Sequence, residues 1–220
     1  MNNALLNLDF TKRVITRADE MAWRSSTVRG VHRKQFERAE EESGRATSFV
    51  RFDAGTSFTP HEHPKGEEIL VLDGVFSDEN GDYPAGTYLR NPSGSSHAPF
   101  SEQGCLIFVK LDHFQTDDCQ RTVIRPEDRQ WLPGLGNLMV VPLHDHAGEH
   151  TALVKWPKGE LFQPHKHWGG EEILVLDGLF SDEHGDYPCY TWMRSPHLSE
   201  HNPFTIDGTL IFVKTGHLPE

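Results

Sequence analysis

Fourteen histidines in a chain of 220 residues are the compositional outlier, and the placing of a few of them points to chemistry. His61 and His63 flank a single residue, Glu67 follows after three more, and His97 lies thirty positions further on. Three neutral imidazoles and one carboxylate are borderline ligands. They suit Zn, Fe, Mn, Ni or Cu and not Ca or Mg. The same four residue types recur as His165, His167, Glu171 and His201, each displaced by 104 positions. A lone HxH pair is ordinarily a surface accident or a satisfied core pair. Four ligand-type residues duplicated at one spacing argue instead for a divalent metal ion in each copy.

These residues need elements that aim them. On a strand, residues two apart share a face, so His61 and His63 point the same way. Glu67 opens "EEILVLDG", a β-branched run that reads as the next strand, and a turn between the two brings its carboxylate alongside. His97 must come from long-range folding, which a closed barrel supplies. The phrase "EEILVLDGVFSDENGDYP" (67–84) recurs at 171–188 with sixteen of eighteen positions identical, and "GCLIFVKLDH" is echoed by "GTLIFVKTGH". A looser echo places Trp23 against Trp131.

Two repeats of short β-branched and aromatic segments, bounded by Gly, Pro, Asp and Asn, predict an all-β chain of two barrels or sandwiches. The domains are read as 1–114 and 115–220, with "QTDDCQRT" as a polar link. Asp73-Gly74, Asn80-Gly81 and Asp177-Gly178 carry hairpin-turn chemistry. "ITRADEMAW" is the one segment expected to make a turn or two of helix, and "ALLNLDF" is expected to add an edge strand. The acidic run "ERAEEESGR" (37–45) reads as an exposed loop between strands.

Composition excludes several functions. A net charge of −12 speaks against nucleic-acid binding, which needs a basic face. No apolar run approaches the roughly 20 residues of a membrane helix, so no membrane partner is expected. The N-terminus lacks the apolar core and small-residue cleavage site of a signal peptide. Three scattered cysteines, Cys105, Cys119 and Cys189, are poor material for a disulfide framework. A cytoplasmic location follows as the expectation. "HDHAGEH" (144–150) holds another HxH, but no distant histidine pairs with it by the logic of the repeat, so it reads as an exposed turn.

The segment "GTSFTPHEHPKGEEILVLDG" resembles the first cupin motif, filled by Gly55, His61, His63, Glu67 and Gly74, and "GTYLRNPSGSSH" resembles the second, with Gly86, Pro92, Gly94 and His97. The finer wording is similar to the ChrR-like cupins, the family of the metal-binding domain of an anti-sigma factor that responds to singlet oxygen. The resemblance covers about residues 21–114 and 130–217. It implies two jelly-roll barrels, each with a metal in its mouth. It also implies zinc as the first metal to expect, with iron, manganese or nickel as alternatives. The anti-sigma factor's separate HxxxCxxC domain has no counterpart here, so a protein partner in the sigma-factor pathway would have to be reached by another route.

Tyr190 replaces Gly86 and Leu198 replaces Gly94 in the second copy. The loop presenting His201 is therefore expected to differ from its counterpart, with His197 nearby as a substitute ligand. Two functions stay open: a metal-loaded regulator sensing a signal in stress-responsive transcription control, and an Fe- or Mn-dependent dioxygenase acting on a small ketone or aromatic compound bound in the barrel. A degenerate storage or structural cupin is the plainer third. Cupins commonly pair, so a homodimer is a further expectation.

Overall fold

The computed structural model describes residues 5–40 and 44–219, and among these nearly every regular element is a strand. The chain forms two compact units, one from Met1–Leu8 and Ala22–Arg129, the other from Asp9–Met21 and Gln130–Glu220. Each is a β-barrel of the jelly-roll type, and the main sheet of each has the same antiparallel order. In the first unit it runs Thr122–Ile124, Tyr88–Asn91, Glu67–Asp78, Cys105–Leu111, Ala46–Phe52, Val31–Arg38, Arg24–Ser25. In the second it runs Val14–Arg17, Thr191–Ser195, Glu171–Asp182, Thr209–Thr215, Glu149–Trp156, Met139–His146, Leu132–Pro133.

The outermost strand of each sheet comes from the other half of the chain. Val14–Arg17 pairs with Thr191–Ser195, and Thr122–Ile124 pairs with Tyr88–Asn91. The two segments are repeat equivalents, for Arg13, Arg17 and Trp23 recur as Arg121, Arg125 and Trp131. The grouping therefore differs from the contiguous halves 1–114 and 115–220, because the repeats trade their first strands. An edge strand offers the same row of backbone donors and acceptors to either copy, so a short sequence preference cannot tell the two docking sites apart. Arginines pin each traded segment: Arg17 Nη2 donates to the Asp186 carbonyl at 3.0 Å, and Arg125 Nη1 to the Asp82 carbonyl at 2.9 Å.

Period-2 alternation builds each core. Ile107 stands opposite Val50 on one side and Val71 on the other, and all three join one buried cluster. Ile211, Val154 and Val175 repeat the arrangement in the second unit. Each such side chain contributes about 1.5–3 kcal/mol relative to exposure.

Several local expectations are corrected. Asn80-Gly81 does sit at the hairpin closed by the Asp78–Gly81 pair, but Asp73-Gly74 lies inside the strand Glu67–Asp78, at a register shift. Gly74 is needed there because a Cβ would come within 2.1 Å of the Gly104 carbonyl oxygen. "ITRADEMAW" is a strand, Val14–Arg17, followed by the 3-10 turn Ala18–Glu20. Of "ALLNLDF", Ala4 lies outside the described residues, and Leu6 makes only an isolated bridge to Arg38. The acidic run is not wholly a loop. Glu37 and Arg38 end a strand, and Glu37 is buried against Arg45 at 2.7 Å, while residues 41–43 lie outside the described residues. "HDHAGEH" is a tight hairpin turning at Ala147 and Gly148, yet its His144 and Glu149 are buried, with Glu149 paired to Lys214.

Candidate metal centres

In the first unit the strands His61–His63 and Ser95–His97 pair antiparallel, with His61 opposite His97 and His63 opposite Ser95. This register puts three imidazoles on one face, with ring centroids 4.8–5.2 Å apart. Glu67 begins the long strand just after a turn, and its Oε2 lies 3.4 Å from Nε2 of both His63 and His97. The four residues read from the sequence are thus brought together. In the second unit His165 stands opposite His201, and His165, His167, Glu171 and His201 offer ligand atoms all within 4.8 Å of one another.

The outer contacts orient these rings. His61 Nδ1 meets the Thr59 carbonyl at 3.1 Å and His165 Nδ1 the Gln163 carbonyl at 3.0 Å. His97 Nδ1 lies 3.3 Å from Asp78, and His201 Nδ1 3.5 Å from Asp182. An acceptor on Nδ1 fixes the tautomer that leaves Nε2 as a bare lone pair facing inward. Nε2 of His63, His97, His167 and His201 is buried with no hydrogen-bond partner among the described residues. Four buried, orphaned acceptors pointing at a carboxylate are costly unless a cation sits among them. The donor set therefore fits a divalent transition metal at both places.

Electrostatics agree with that fit. Burial, helped by the neighbouring histidines, lowers His63 to about 4 and His167 to about 3, so both rings stay neutral and able to ligate at ordinary pH. Burial also raises Glu67, and raises Glu171 to about 7. A carboxylate in so dry a place holds its charge readily only beside a compensating cation.

The two centres differ one shell out, and sequence reasoning missed both differences. Asn91 Nδ2 donates to Glu67 Oε2 at 3.1 Å, whereas the equivalent position in the second unit is Ser195. In the second unit Arg13, carried in on the traded strand, donates to Asp182 Oδ2 at 2.5 Å, the same carboxylate oxygen that faces His201. Its counterpart Arg121 reaches only the Tyr83 hydroxyl, at 3.4 Å, and Tyr83 in turn donates to Asp78 at 3.0 Å. The recurrence of Arg13 and Arg121 before equivalent strands was the available signal.

The loop before His201 was expected to depart from its counterpart, and it does not. Leu198 adopts φ +59°, close to the +77° of Gly94, and Tyr190 takes φ +64° where Gly86 has +91°. The Gly94 and Leu198 amides donate to the carbonyls of His63 and His167, each at 2.9 Å. The loop's hydrogen bonds override the intrinsic penalty of a left-handed leucine, about 1–2 kcal/mol. His197 is not a substitute ligand: its Nδ1 accepts from the Gly169 amide at 3.0 Å and its ring packs on Trp168.

A cavity of about 440 Å³ in the first unit is walled in part by His61, His63 and Glu67. Ile107 and Val109 line it, whereas Tyr88 and Leu89 are buried and not among its lining residues.

Fold and site together define a double-barrel cupin with two His/Glu clusters suited to metal. The model of the ChrR cupin-like domain matches residues 11–115 and again 119–219, and the chain belongs to that family. No functionally curated protein matches the chain. Among solved structures, a candidate dioxygenase from Nostoc punctiforme is similar with a TM-score of 0.79 at 14% identity, over 96% of this chain and 85% of that one. The pirin YhhW of Escherichia coli, in complex with nickel(II), is similar at 0.69 and 13%, over 94% and 99%. A mutant of Bacillus subtilis oxalate decarboxylase is similar at 0.63 and 13%, over 92% and 76%. Identities this low speak for the shared fold. No helix among the described residues is long and apolar enough to cross a membrane.

Proposed function

We propose that the first unit is a metal-dependent centre of the dioxygenase type, in which His61, His63, Glu67 and His97 hold one divalent ion and a small ketone or aromatic molecule binds beside it. The observation that carries this reading is the cavity of about 440 Å³ that has three of the four ligand residues in its wall. That volume is of the order that takes up small organic ligands. A bound iron or manganese ion would supply the coordination positions for substrate and dioxygen. The protein's part is to orient His61 and His97 through Thr59 and Asp78, to keep Glu67 in place through Asn91, and to surround the substrate with apolar side chains that exclude water. The similarity to a candidate dioxygenase supports the same direction. In the second unit His165, His167, Glu171 and His201 hold a second ion.

A zinc-loaded regulator is the second reading, favoured by the ChrR description of the family model across both halves. Elemental analysis of protein purified without added metal, with oxygen consumption measured over a panel of aryl ketones, separates the two. Iron or manganese with substrate-dependent oxygen uptake is the expected result. Stoichiometric zinc with no oxygen uptake would favour the regulator and overturn the dioxygenase reading.

A further inference from the structure

The interiors of the two barrels are not equivalent. In the first, Arg33 stands opposite Val50 on the inner face of the strand Val31–Arg38. A register shift between Gln35 and Glu37 inserts one extra residue, so that Arg38, opposite Ala46, also reaches the cavity. Ser48, between them on the neighbouring strand, is buried and lines the same space. In the second barrel the positions opposite Val154 and His150 are Val140 and Asp145, and Ser48 becomes Ala152. Val140 and Ala152 pack onto the apolar core there, and the larger Trp156 replaces Phe52 within it. Asp145 is exposed and bonded to His150 at 2.6 Å. The strand that in one repeat lines a cavity with two arginines in the other packs onto an apolar core.

We infer that the cavity of the first barrel takes a small organic carboxylate, with its acid group on Arg33 and Arg38 and its apolar body toward the histidine cluster. This rests on the reading of that cluster as a metal centre and names the class of its ligand. The cation fits the need, because a carboxylate leaving water for the cavity must recover its lost hydration, and a guanidinium does so with two parallel N–H bonds. Each arginine also engages a neighbour. Five N–H donors in a fork let one guanidinium serve that neighbour and a carboxylate together. Val28, Phe52, Phe58 and Ile107 supply the apolar wall that an aromatic or branched body would cover.

The test is calorimetric titration of the full chain with benzoate and with its neutral near-isostere benzamide. Benzoate should bind at least about tenfold more tightly, the margin of a charge-assisted pair. Arg33→Val, which installs the residue of the second repeat, should bring benzoate down to the level of benzamide, and Arg33→Lys should recover part of the difference. Equal affinities in the native protein, no binding of benzoate, or an Arg33→Val protein indistinguishable from it would each overturn the inference. The titration is repeated on chelator-stripped protein with elemental analysis alongside. A first barrel that never holds metal defeats the metal reading while the contrast between benzoate and benzamide still reports the anion site. Near-ultraviolet circular dichroism confirms that each variant is folded.

Discussion

The two barrels share a phrase of eighteen residues almost letter for letter, yet they differ in several of the contacts made to it from outside. In the first, the ligand carboxylate is steadied by Asn91 and the interior is a cavity with arginines in its wall. In the second, a histidine is steadied through Asp182 by Arg13 from the traded strand, and the interior is packed by Val140, Ala152 and Trp156. The difference teaches that the repeat preserved the geometry of the His/Glu clusters while the surroundings diverged toward a cavity in one barrel and toward a packed core in the other.

The comparison is broken most directly at the ligands. His97→Ala should remove one equivalent of metal from the first barrel and His201→Ala one from the second, read by elemental analysis, with the other barrel still loaded in each. If both variants retain two equivalents, the paired-centre reading fails.

Arg13 offers a sharper cut. Losing an outer partner of a metal-binding histidine typically weakens the metal by about 10–100-fold. Arg13→Met should therefore lower the affinity of the second centre by about tenfold in a competition assay and leave the first unchanged. Arg121→Met, whose side chain stops at Tyr83, should move the first centre far less. Equal effects of the two would dissolve the asymmetry between the outer shells.

Acid should reveal both centres in chelator-stripped protein. His63 and His167 are lowered to about 4 and about 3 in the fold from an ordinary 6.5. The unfolded chain thus binds their protons first, and the part of the stability that these two rings contribute is full above about pH 6.5 and is lost as pH falls toward the folded values. The slope is at most about 1.4 kcal/mol per pH unit for each histidine. Burial raises Glu67 and Glu171, which take up protons in the fold over the same window and offset this loss, so the midpoint of the native chain should change little between about pH 6.5 and 4.5. Glu171→Gln should uncover the fall, and adding His63→Ala should reduce it. A Glu171→Gln protein with a midpoint insensitive to pH in this window would contradict the burial of the rings.

The smallest expected effect concerns the strained loop. Leu198→Gly relieves a left-handed leucine, which is half exposed and gives up little burial, and should stabilise by about 0.5–1 kcal/mol. Gly94→Leu imposes the same strain on the first barrel and should destabilise by about 1–2 kcal/mol. Thermal melts read both, and effects of the same sign would mean that the two loops are not equivalent.

The duplicated ligand types at one offset, the period-2 strands and the turn at Asn80-Gly81 were legible in the sequence because each is a local pattern of spacing or backbone chemistry. Asp73-Gly74 misled for the same reason. A dipeptide with turn chemistry reads alike in a hairpin and in a bulge, and only the close approach of Gly104 decides between them. Leu198 misled in the opposite sense, since its intrinsic preference was outweighed by loop hydrogen bonds that no single position encodes. The sequence by itself determined the fold class and the two candidate His/Glu sets with their metal-suited donors. Tertiary structure alone decided which copy each first strand would join, which arginine would stand behind His201, and whether an inner-face position would line a cavity or fill a core. Those outcomes depend on pairings and volumes summed over distant segments, whereas strand periodicity and ligand type are properties of neighbours along the chain.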